Sequence, residues 1–159
     1  LRQERPVIEI GRYTSQEVAP AVAAIPTTPN QGQYLVVWES QYSPTDGDIY
    51  GRLVEGEGTT PSPPFAITAS NVNQYQPAVA GKETAGEYLI VWMQESSVTT
   101  SDVIGRNLSM TGDFLGPERQ VDGVWSIPDH ASVVDGWNGD FLVAWDDAWL
   151  FPRGIFGQL

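Results

Sequence analysis

The sequence has no cysteine, a single histidine and only eight Lys or Arg residues. Without cysteine there is no disulfide, no thiol nucleophile and no thiolate ligand, and one histidine cannot build a zinc centre of His and Cys. Cysteine usage therefore leaves the redox compartment open. Eight basic residues against twenty acidic ones give a net charge of −12, a surface that repels phosphate backbones, so no nucleic-acid partner is expected. Long apolar runs are also missing. None approaches the roughly 18 residues a membrane helix needs, and no membrane insertion is expected. Room for helices is scarce, because 16 glycines and 12 prolines interrupt 159 residues. What is present is enough apolar material for a core: 41% hydrophobic and 11% aromatic residues exclude a disordered chain. The size fits one domain, and the composition predicts an all-β fold. The chain opens Leu1-Arg2-Gln3, with neither an initiator Met nor a signal-peptide pattern, as expected of a processed product, an excised domain or a partly read chain.

Three copies of one unit are visible. Tyr34-Leu35-Val36-Val37-Trp38 recurs as Tyr88-Leu89-Ile90-Val91-Trp92 and as Phe141-Leu142-Val143-Ala144-Trp145, a period of about 53 residues. A second signature follows each copy: Asp48-Ile49-Tyr50-Gly51-Arg52, Asp102-Val103-Ile104-Gly105-Arg106 and Gly154-Ile155-Phe156-Gly157-Gln158. Small and β-branched residues precede each copy, as Pro20-Ala21-Val22-Ala23, Pro77-Ala78-Val79-Ala80 and Ala131-Ser132-Val133-Val134. A fourth run, Phe65-Ala66-Ile67-Thr68 and then Arg119-Gln120-Val121, completes the first two units, and Val7-Ile8-Glu9-Ile10 resembles it ahead of the first.

Turn residues fit four-stranded meanders. Glu55-Gly56-Glu57-Gly58 and Thr111-Gly112-Asp113 stand between third and fourth runs, and Asp135-Gly136 with Asn138-Gly139 punctuate the last first-to-second connection. The second run is apolar at five consecutive positions, so both faces of that strand are expected to be covered. Stacked four-stranded sheets of this kind are propeller blades; a β-trefoil or β-prism is the alternative. The expected domain is residues 7–159, with units at 11–68, 69–121 and 122–159, Val7–Ile10 as a closing strand and residues 1–6 as an N-terminal tail. Three blades cannot close a ring, which takes about four to eight, so a six-bladed ring formed by two chains is expected.

The pattern of Pro-Ala-Val-Ala, Tyr-Leu-Val-Val-Trp, Asp-Ile-Tyr-Gly-Arg and Phe-Ala-Ile-Thr resembles a repeat of large secreted or surface-anchored bacterial β-propeller proteins, over residues 7–159. The resemblance implies an extracellular or cell-surface, non-catalytic role in adhesion or scaffolding. It is a packing motif and implies no catalytic residue. The third copy departs from it, reading Gly154-Ile155-Phe156-Gly157, and the position after the core Trp varies as Glu39, Met93 and Asp146.

Candidate chemistry is sparse. His130 has Asp129 beside it, but neighbours on a regular strand point to opposite faces, so no hydrolase triad is expected there and the histidine reads as an ordinary surface group. Acids near the second-to-third connections, Asp46, Asp48, Asp102, Asp146 and Asp147, are candidate Ca²⁺ ligands on loops, though their spacing is not that of an EF-hand. The same carboxylates are the only basis for a less favoured glycosidase reading. Trp125, Trp137 and Trp149 fall outside the repeat pattern and are candidate ligand-binding residues, since an exposed aromatic face beside Asp and Asn suits a sugar ring. Asn107-Leu108-Ser109 is a glycosylation sequon. The expected function is a non-catalytic extracellular binding or scaffolding module, with a lectin-like carbohydrate-binding propeller as its variant. Its expected partners are a second copy or another propeller-bearing chain, and a glycan or surface protein.

Overall fold

A computed structural model of the chain describes residues 7–28, 31–56, 61–97, 99–123, 128–136, 138–147 and 154–159. Its described residues form strands and connections, with no helix among them. The first sheet contains β1 (Gln16–Thr28), β2 (Gln31–Ser43), β3 (Asp46–Glu55) and β4 (Phe65–Thr68) in spatial order. The second repeats it with β5 (Gln74–Lys82), β6 (Glu87–Ser97), β7 (Thr100–Ser109) and β8 (Arg119–Gln120). The third has β9 (Pro128–Asp135), β10 (Phe141–Asp147) and β11 (Gly154–Gln158), ordered β11-β10-β9. All pairings are antiparallel between sequence neighbours. The chain is thus an all-β protein of three meander sheets.

Each first strand carries the same irregularity. Ala19, Gln76 and His130 have φ near +50° (49°, 51° and 50°), a left-handed conformation that costs an L-residue about 1–2 kcal/mol. At each, two residues face one on the neighbouring strand: Ala19-Pro20 opposite Trp38, Gln76-Pro77 opposite Trp92, and His130-Ala131 opposite Trp145. Proline suits the second bulge position, since the ladder is broken there and no N–H is missed. The bulge thus stands opposite the repeated tryptophan in all three sheets. The indole N–H groups of these tryptophans are buried without an acceptor among the described residues, so the side chains contribute ring area rather than a hydrogen bond.

The sheets stack face to face. Leu35, Val37, Ile49, Leu53 and Ile67 of the first sheet meet Tyr88, Ile90, Trp92, Ile104 and Leu108 of the second. From its opposite face the second sheet presents Leu89, Val91, Val103 and Val121 to Phe141, Val143 and Trp145 of the third. The unbroken apolar runs of β6 therefore serve two cores at once, as expected for a strand covered on both sides. Burial of each such aliphatic side chain is worth about 1.5–3 kcal/mol, which makes these interfaces the main source of stability. First strands of successive sheets are neighbours, β1 against β5 and β5 against β9. Gly81 allows the first of these approaches, because a Cβ there would stand 2.8 Å from the Ala24 carbonyl oxygen.

Two expectations need correction. Among the described residues the third sheet has three strands, not four, and Val7–Ile10 is irregular backbone lying by the first sheet. The segment is held there by the Arg52 side chain, and the β11 edge of the same chain lies beyond the second sheet. The acids assigned to loops are on strands: Asp46 and Asp48 on β3, Asp102 on β7, Asp146 and Asp147 on β10. The strands run further than their apolar cores, leaving only Pro44-Thr45 between β2 and β3.

Candidate functional site

The repeat makes every side chain comparable with its counterparts. Call the face of each sheet toward the next one leading, and the opposite face trailing. Leu35, Leu89 and Leu142 are counterparts on the leading face, exposed by 0%, 2% and 41%. Ile49 and Val103 are buried, whereas their counterpart Ile155 is 78% exposed. On the trailing face the order reverses: Tyr88 and Phe141 are buried, while Tyr34 is 41% exposed. Val22, on the same face as Tyr34, is also exposed. Side chains that form a core between sheets thus lie open at the two ends of the stack.

Polar contacts follow the same period. Across the first interface the Tyr88 hydroxyl donates to the Gln33 carbonyl oxygen at 3.0 Å, and the Gln76 backbone N–H donates to Glu39 Oε2 at 3.3 Å. Glu39 on β2 thereby closes the open bulge of the next sheet. Met93 is its counterpart in the second sheet and offers only a weakly accepting thioether, and the His130 N–H donates to its own neighbour, Asp129 Oδ1, at 3.0 Å. Asp146 is the third counterpart, on the leading face of the last sheet.

The guanidiniums tie a sheet to the segment that precedes it in the chain. Arg106 Nη1 donates to the Ile67 carbonyl of β4 at 2.8 Å. Arg52, its counterpart, donates through Nη1 to the Ile10 and Glu9 carbonyls at 2.7 and 3.1 Å. Gly11 then lies against the Trp38 ring. Arg106 also carries an ion pair to Glu118 at 3.5 Å and covers the Phe114 ring. In the third sheet the counterpart is Gln158. Beside it a cleft of about 410 Å³ separates β8 from β10 and β11, with Asn107, Arg119, Gln120 and Asp140 around Leu89 and Phe141. Lys82 enters the same region, bridging to the Gly139 carbonyl and lying 5.4 Å from the Phe141 ring centre.

His130 is not isolated from Asp129, contrary to the expectation from strand alternation. Its left-handed backbone breaks the alternation, so Nδ1 lies 3.1 Å from Asp129 Oδ2 and 3.6 Å from Asp146 Oδ1. The three groups offer ligand atoms within 4.8 Å of one another, the one cluster of this kind among the described residues. Its chemistry suits an imidazolium between two carboxylates or a divalent cation. His130 is largely exposed, and its ring nitrogen faces carboxylates rather than a hydroxyl nucleophile.

The candidate Ca²⁺ ligands are distributed over all three sheets. Asp46 neighbours Asp48, whose Oδ1 already accepts the Ser70 N–H at 3.1 Å. Burial raises the Asp48 carboxyl above its usual range, and the charge of Asp46 adds to this. Asp102 lies near Asp122, whose carboxyl is raised chiefly by burial although it accepts the Val103 N–H at 2.9 Å. Asp147 is buried, and Asp146 joins the histidine cluster. Burial likewise raises the Glu39 carboxyl, with the Gln76 hydrogen bond opposing. The Tyr50 hydroxyl, hydrogen-bonded by Tyr42 and partly buried, is pushed up to about 12, and burial pushes Tyr88 up as well. Trp125, Trp137 and Trp149 lie outside the described residues.

Sequence reasoning missed Glu39, Arg52, Arg106 and the bulge. The arginines had a visible signal, the same residue after Gly in two of three units. The fold and these faces define the class: an all-β protein of stacked meander sheets with open apolar ends. The chain matches no protein-family model, and no curated protein matches it.

Proposed function

We propose that the chain is a non-catalytic binding and scaffolding module of propeller-type blades, acting outside the cell through its sheet faces and strand ends. The observation that carries this reading is the exposure of Leu142 and Ile155 at one end and Tyr34 and Val22 at the other, where their counterparts form cores. Side chains already shaped to pack on one another make association the natural use of both faces. Close neighbouring of β1, β5 and β9 supports an axis along which blades crowd. Three blades leave a ring open, and two chains in head-to-tail order supply six, within the range of closed propellers of about four to eight. The extracellular setting rests on the resemblance to secreted bacterial repeats.

Light scattering on the eluting particle tests the assembly. A two-chain mass at micromolar concentration is the expected result, and a compact monomer overturns it. Glycan binding is a second reading, favoured by the amide, guanidinium and carboxylate groups around the cleft beside Phe141. Titration with mixed oligosaccharides, followed for both binding and hydrolysis, separates a lectin-like module from a carboxylate glycosidase.

A further inference from the structure

We infer that Val7–Ile10 is the fourth strand of a second copy's third sheet, and that the two copies are joined by the same latches that join sheets within one chain. The inference rests on the association reading above and names the contact.

The N-terminal segment already sits where such a strand belongs. Arg106 holds the carbonyl of Ile67, a fourth-strand residue of the preceding sheet, and Arg52 holds the carbonyl of Ile10 in the same way. Ile10 is therefore to the first sheet what Ile67 is to the second. The third sheet, in turn, has an edge at β11 with no strand on it among the described residues.

The socket for Ile10 is also present. Ile67 lies against Gly51 and Val121 against Gly105, each filling the space a Cβ would take, at 3.0 and 3.1 Å. Around Gly157, the third glycine of the series, only the sheet's own Val143, Leu142 and Ala144 come within 4 Å among the described residues. A second copy placed head to tail brings its Ile10 onto Gly157. The same placement covers Leu142 and Ile155 with the partner's counterpart of the Tyr88 and Ile90 face. It sets Asp146 where Glu39 stands, to accept the N–H of the bulge at Ala19, and it sets the Tyr34 hydroxyl toward the Asp140 carbonyl, as Tyr88 meets Gln33. One rigid repetition of the internal interface satisfies all four positions.

Register predicts a cross-link. Tyr50 pairs with Ala66 and Ile104 with Gln120, so Phe156 of one copy pairs with Glu9 of the other. The sequence has no cysteine to interfere. Separately prepared Glu9→Cys and Phe156→Cys chains, mixed and oxidised, are expected to give a two-chain product whose peptide map links positions 9 and 156. Ile10→Asp, which leaves the three sheets intact, is expected to weaken the particle by at least about tenfold in dissociation constant. Its unchanged circular dichroism serves as the check on folding. A two-chain particle that gives no link between 9 and 156 and ignores Ile10→Asp overturns the strand exchange while sparing the association reading. A monomer overturns both.

Discussion

Ile67 fills the space that a β-carbon on Gly51 would need, its Cδ1 lying 3.0 Å from that position. Val121 stands in the same relation to Gly105 at 3.1 Å. The glycine of each signature is there for close packing and not for a turn, since neither has a positive φ. Gly105→Val is expected to destabilise the chain by about 1–3 kcal/mol through overpacking. Gly123→Ala, where no atom of the described residues lies within 4 Å of an added Cβ, should stay within about 0.5 kcal/mol. Urea unfolding of the two variants is the comparison, and equal losses would remove the packing role.

Leu89 and Leu142 are counterparts in sequence with different surroundings. Leu89→Ala should cost about 2–5 kcal/mol at any concentration, because its cavity lies inside one chain. The effect of Leu142→Ala should grow with protein concentration, because in the proposed ring its partner belongs to another chain. Melting curves over a hundredfold dilution decide this: a Leu142→Ala effect that stays constant places that face in solvent.

The raised carboxyls of Glu39, Asp48 and Asp122 set a pH dependence. An acid whose pKa is higher in the folded state favours folding fully below its ordinary pKa, and that contribution is lost as pH rises through the folded value. These three groups therefore oppose folding at neutral pH. Asp122→Asn retains an oxygen for the Val103 N–H and is expected to raise the melting temperature at pH 7, with little change at pH 3. A variant whose advantage is the same at both pH values would show that ionisation of Asp122 is not the cause.

Calcium is expected to raise the melting temperature by binding the folded carboxylates. Asp129→Asn, which keeps an acceptor for the His130 N–H, should remove most of that rise if the cation sits in the cluster with Asp146. Superimposable curves in millimolar calcium and EDTA would end the cation role.

Legibility in the sequence followed periodicity. Tyr-Leu-Val-Val-Trp disclosed a strand wanted on both faces, and Gly51, Gly105 and Gly157 disclosed equivalent third strands, because packing repeats when residues repeat. Backbone conformation was not legible in the same way. Ala19, Gln76 and His130 share a left-handed φ but no side-chain chemistry, so nothing marked the bulge that turns His130 toward Asp129. Asp46 and Asp48 were not legible as strand residues, because charged side chains are commonest in solvated loops, whereas the β2–β3 ladder continues past the core to Asp46. Arg52 and Arg106 were legible as a repeat, but their acceptors are backbone carbonyls, which leave no trace in residue type.

The middle sheet is packed on both faces, and each outer sheet on one. Amides of β6 and β7 can exchange with solvent only after two interfaces separate, whereas those of β9 to β11 need one to part. In the separated chain deuterium should therefore enter from the ends of the stack inward, and closure of the proposed ring should erase that order. Before closure, the centre of the chain, around Trp92, sets the rate of its last and slowest protons.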